Sequence, residues 1–91
     1  MHSREVEIIN SIGLHARPAA EFCGKAGTFS SNITIKKLGD EPKEGNAKSL
    51  ITVMTMALSK GTRIEIVAEG EDEIIAVQTL VALIESGFGE K

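Results

Sequence analysis

His15 and Arg17 stand two residues apart in the segment Gly13-Leu14-His15-Ala16-Arg17-Pro18-Ala19. A neutral imidazole is a nucleophile, and a guanidinium presents a planar fork of donors to phosphoryl oxygens as charge spreads over them in transfer. The pair suits the uptake of a phosphoryl group. Pro18 fits the first turn of a helix, where its missing N–H is no loss. A helix beginning near Ala16 puts His15 at its N-terminus, where the first backbone N–H groups lack intrahelical partners and the macrodipole is positive. Phosphate binds at such a place without further machinery.

Other readings of these residues are weaker. A lone His-x-Arg is most simply a solvated loop histidine beside a surface charge, and it gains weight here only from the proline and the predicted helix start. His2 is the only other histidine, and no Cys, His and carboxylate set has metal-ligand spacing, so no metal and no cofactor are expected. A Ser-His-Asp hydrolase lacks its nucleophile elbow and the room for a pocket. Cys23, the one cysteine, falls on a helical apolar stripe and reads as an inert core residue.

The elements that must position His15 show in the periodicity. Val6 and Ile8 alternate with Glu5 and Glu7 as a half-buried strand, and Asn10 to Gly13 is a loop. Ala19, Phe22, Cys23 and Ala26 form the stripe of a first helix that stops at Gly27. Ile33 and Ile35 alternate with Thr34 and Lys36 in a second strand. A short third strand is predicted from about Glu41, broken by Gly45-Asn46. Ser49 is the N-cap of a second helix with the stripe Leu50, Val53, Met54, Ala57 and Leu58, closed by Lys60-Gly61. Ile64, Ile66 and Ala68 mark a fourth strand. Gly70 leads into a last helix with Glu71, Asp72 and Glu73 in its first turn, the stripe Ile74, Val77, Leu80, Val81 and Ile84, and an end at Gly87. Strands apolar on one face only predict an α+β open-faced sandwich: a mostly antiparallel four-stranded sheet with three helices on one face.

Ninety-one residues, 42% apolar and 25% charged, make a single domain spanning 1–91. With a net charge of −3 and three aromatics, the chain has neither the positive field nor the stacking platforms for nucleic acid. A local basic patch facing an acidic protein remains open. No apolar run approaches the ~18 residues of a membrane span, and none resembles a signal core. One unpaired cysteine suits a reducing compartment, so a cytoplasmic monomer is expected.

The seven-residue segment around His15 resembles the active-site signature of HPr, the histidine phosphocarrier family of the bacterial phosphoenolpyruvate-dependent sugar phosphotransferase system. Lys48-Ser49-Leu50 resembles the family's regulatory-serine region, and Ala68-Glu69-Gly70-Glu71-Asp72-Glu73 the entry to its last helix. The resemblance implies that His15 is phosphorylated on Nδ1 by enzyme I and donates to the histidine of an EIIA domain. It implies that Arg17 steadies the phosphoryl group and that Ala16 and Arg17 supply backbone N–H groups. Leu50, Ile51 and Met54 fall on the implied partner-docking helix. Leu50 and Met54 also fit the inward stripe, whereas Ile51 lies off it and is the better docking candidate. Lys25 and Lys48 could form a basic rim for an acidic partner.

The resemblance also makes Ser49 a candidate phosphoserine for an HPr kinase/phosphorylase, although capping alone explains a serine there. Two stretches, Glu7-Ile8-Ile9-Asn10 and Ser86-Gly87-Phe88-Gly89-Glu90, look more like the nitrogen-regulatory branch, NPr. In that branch phosphorylation would gate binding to partner proteins.

Overall fold

The computed structural model describes residues 1–89, so Glu90, the last position of the NPr-like ending, lies outside the described residues. The strands are β1 (His2–Glu7), β2 (Asn32–Lys37), β3 (Lys43–Asn46) and β4 (Arg63–Glu69), and the helices are α1 (Ala16–Ala26), α2 (Leu50–Thr55) and α3 (Glu73–Glu85). The sheet runs β1-β4-β2-β3 and every pairing is antiparallel. Its register sets Val6 against Ile64, and Ile35 against Ile66, on the face covered by helices. The next row, Glu5 against Glu65 and Lys36 between Glu65 and Glu44, faces away from them. A period of two thus becomes one buried and one wet face. Phe22, Ile8, Ile35, Ile64, Leu80 and Ile84 fill the space between sheet and helices.

Three expectations need correction. The third strand is Lys43–Asn46, and Gly45-Asn46 lies inside it, with Gly45 paired to Ile35 and Asn46 to Thr34. Gly45 is there for space: a Cβ would come within 2.3 Å of the Thr52 methyl of α2. Second, α2 stops at Thr55 rather than at Lys60-Gly61, because Ala57 turns into the left-handed region at φ 55°. That turn sends Met56 and Leu58 into the core, while Leu50 and Met54 stay 40% and 41% exposed and not inward. Third, α3 begins only at Glu73, with Asp72 at the N-cap position but no side-chain cap bond, and Ile74 is 55% exposed while Ala76 is buried. The first helix does stop at Gly27 as expected, with an ordinary right-handed backbone there, φ −65°.

Asp72 ties the start of α3 to the entry of β2. Its carboxylate accepts the Ser31 hydroxyl, the Ser30 N–H at 2.8 Å and the Ser31 N–H at 3.0 Å. These donors, the Ser31 hydroxyl foremost, hold the carboxyl at about 2, against its usual 3.8. A depressed carboxylate adds stability that is full above its unfolded value and lost as pH falls through its folded one. Between pH 3.8 and about 2, the stability of the parent should therefore fall more steeply than that of Asp72→Asn. Urea midpoints measured stepwise across that window check this, and parallel curves would refute it.

Candidate functional site

The helix carrying the site starts where the sequence predicts. His15 is the N-cap of α1, its backbone extended, and its ring makes no capping hydrogen bond. The first helical bond runs from the Ala19 N–H to the His15 carbonyl at 2.8 Å. Pro18 has no N–H to give, so Ala16 and Arg17 carry the helical N–H groups that have no carbonyl one turn earlier. His15, Ala16 and Arg17 are all exposed. An anion held at His15 would meet these two amides and the positive end of α1.

Arg17 is not simply solvated. Its Nη1 donates to Glu21 Oε1 at 3.1 Å, one turn further along the helix. An exposed pair at this spacing is worth only ~0.3–0.5 kcal/mol, so it positions the guanidinium without locking it.

Placement of the ring depends on the loop before it. The Gly13 N–H donates to Asn10 O at 3.0 Å, and Asn10 Nδ2 donates to Gly13 O at 2.7 Å. The Leu14 N–H then donates to Leu58 O at 2.8 Å. Gly13 sits at φ 67°, and a Cβ there would lie 2.3 Å from the same Leu58 carbonyl oxygen. The His15 loop and the turn after α2 are thus clamped together. Between them lies a shallow depression of about 240 Å³, lined by Ile12, Leu14 and His15 on one side and Met54, Ala57 and Leu58 on the other.

Of the docking candidates, Met54 shares this depression with His15. Ile51 is 78% exposed and Leu50 stands beside it on α2, so all three predicted residues present apolar surface to solvent. Lys25 is exposed in the last turn of α1, where the helix dipole alone favours a cation. It is roughly 15 Å along the axis from His15. Lys48 is half-buried and donates to the Phe29 carbonyl at 2.8 Å, which makes it a strut between loops as well as a charge. Ser49 caps α2 as expected, accepting from the Thr52 N–H at 3.3 Å. Cys23 is buried in the core, and burial pushes its thiol pKa up. Among the described residues no three His, Cys, Asp or Glu side chains gather as a metal group. None of their helices is long and apolar enough to cross a membrane.

The family model for the PTS HPr component phosphorylation site matches residues 2–86. This chain belongs to the HPr family. It is 54% identical over 84 residues to phosphocarrier protein HPr of Haemophilus influenzae, covering 92% of this chain and 95% of the relative. It is 41% identical to the HPr of Pseudomonas putida over 99% of this chain and 98% of the other. The fold is similar to the crystal structure of HPr-C-His from Thermoanaerobacter tengcongensis, with a TM-score of 0.92, 45% identity, and coverage of 100% of this chain and 99% of that one. The HPr-family fold, a four-stranded antiparallel sheet under three helices, is the one the periodicity predicts.

Ile12 was missed by the sequence reading. Its signal was a large apolar residue in the otherwise polar Asn10–Gly13 loop. The clamp yields a test from one substitution at two sites. Gly13→Ala should cost ~2–4 kcal/mol, from left-handed strain and backbone overlap. Gly24→Ala, in the exposed interior of α1 with open space around it, should gain ~0.4–1 kcal/mol. Denaturant unfolding of both variants reads the two signs, and like signs would refute the clamp.

Proposed function

We propose that this HPr-family chain carries a phosphoryl group on Nδ1 of His15, receiving it from the phosphohistidine of enzyme I and passing it to the histidine of an EIIA domain. The observation that carries the reading is the exposed His15 at the α1 N-cap, its ring left out of capping. In the transfer the His15 nitrogen attacks phosphorus as the donor's nitrogen–phosphorus bond breaks. The ring proton lost by His15 is balanced by one gained on the leaving imidazole through solvent. The Ala16 and Arg17 amides and the Arg17 guanidinium face the charge on the phosphoryl oxygens, a preorganised electrostatic role. Such a protein is a carrier rather than a turnover enzyme, and its setting is the cytoplasm, as a monomer.

Leu50, Ile51 and Met54 form the apolar part of the docking face in this reading, with Lys25 and Lys48 as charges further out. The relatives described above bear the HPr name, so sugar uptake is preferred over the NPr-like gating role. Ser49 is the regulatory candidate: a phosphate on it would set two negative charges beside Leu50 and Ile51 and oppose an acidic partner.

Incubation with phosphoenolpyruvate and enzyme I should label the parent with acid-labile, base-stable phosphate, since a nitrogen–phosphorus bond hydrolyses in acid and a serine ester does not. His15→Ala should take up none, and acid-labile label on that variant sinks the proposal. Arg17→Ala should slow transfer by an amount equivalent to ~2–4 kcal/mol. Its stability should stay within ~0.5 kcal/mol of the parent, since the Glu21 pair it loses is exposed. Stopped-flow transfer rates beside thermal melts separate the two effects, and an unchanged rate reduces Arg17 to a surface charge.

A further inference from the structure

We propose that Ile12 is an apolar docking anchor for the phosphoryl-donor protein, inserted beside the donor's reactive histidine during transfer. The inference rests on the phosphocarrier reading of His15. Ile12 is 54% exposed at the tip of a turn closed by the two Asn10–Gly13 bonds, so its backbone is held although its side chain is in water. Its branched Cβ restricts χ1, and little rotamer freedom is lost on contact. It opens onto the same depression as His15 and Met54.

Transfer between two imidazoles fixes what must cover that depression. In-line displacement puts one nitrogen on each side of a single phosphorus, so the donor's surface comes directly against the surroundings of His15. The lining around His15 is Ile12, Leu14, Met54, Ala57, Leu58 and a serine, with no permanently charged side chain. A charged donor group pressed there would be desolvated without a partner, which is costly. The occupant is therefore an uncharged, apolar side chain flanking the donor's phosphohistidine. A lone exposed isoleucine needs no explanation in general. Ile74 on α3, 55% exposed and outside the depression, is the matched control.

Steady-state phosphorylation by phosphoenolpyruvate-charged enzyme I tests this. Ile12→Asn should raise the KM for this chain roughly fivefold or more, with kcat within about twofold and an unchanged melting temperature. Ile12→Val should stay within about twofold of the parent in KM, and Ile74→Asn should match the parent. The KM ratio between Ile12→Asn and parent should persist in high salt, because the lost contact is apolar. An unchanged KM for Ile12→Asn, or an equal rise for Ile74→Asn, overturns the proposal. If instead the parent itself takes no label on His15, it is the carrier reading that has failed. Should Ile12→Asn melt early, the Ile12→Val and Ile12→Ser variants decide the case by the same KM criterion.

Discussion

The bond from the Leu14 N–H to the Leu58 carbonyl, closed over a glycine with no Cβ to spare, is the constraint on which the site depends. It joins two segments far apart in sequence, each irregular by itself. Without it the N-cap of α1 would be set only by its own first turn, and a first turn frays readily. With it, the backbone before His15 is anchored to the turn that Ala57 makes after α2. The backbone of His15, the amides of Ala16 and Arg17 and the face of α2 then belong to one arrangement. That matters for transfer chemistry, where a misplacement of about an ångström at the reacting atom costs orders of magnitude in rate.

The same clamp explains why α2 is short. A helix continued along the apolar spacing to Leu58 would point the Leu58 carbonyl along its own axis rather than across to Leu14. Instead the chain accepts a left-handed alanine, at a cost of ~1–2 kcal/mol. The carbonyl is freed for Leu14, and Met56 and Leu58 drop into the core. Leu50, Ile51 and Met54 remain outside. The strained Ala57 and the exposed Met54 both line the depression beside the histidine, as strain at working sites often does.

What the sequence made legible follows the range of the interactions involved. Strand faces, the α1 start and the Ser49 cap are set within a few residues, so periodicity and capping chemistry reveal them. His15 could be placed at a helix N-terminus because Pro18 marks the first turn locally. Gly45 was misread because its reason lies across space: the Thr52 methyl needs its missing Cβ. The early end of α2 was hidden likewise, since Ala57 carries no turn signal and the carbonyl it frees is claimed by Leu14. Ile74 fits an inward stripe by spacing, yet Ala76 takes the buried place and Ile74 stays 55% exposed. Lys48 read as a free surface charge because its acceptor, the Phe29 carbonyl, is nineteen residues away.

A carrier must hold its cargo well enough to take it and loosely enough to give it up. The arrangement around His15 is consistent with that balance in its parts. In the proposed role, the attraction for phosphoryl oxygens would come from two backbone amides, the end of an eleven-residue helix and one guanidinium. Among the described residues no cation is buried around the ring, and the guanidinium pairs with Glu21 one turn further along the helix. Each of these is a modest and solvent-screened contribution. A deep pocket lined with charges would bind phosphate far more strongly, and the phosphoryl group would then be slow to leave. The open site instead leaves its remaining coordination to the partner. In that role, electrostatic stabilisation would be completed by a partner closing over the depression, so the transition state would be favoured in the complex and the phosphorylated carrier alone would not be over-stabilised.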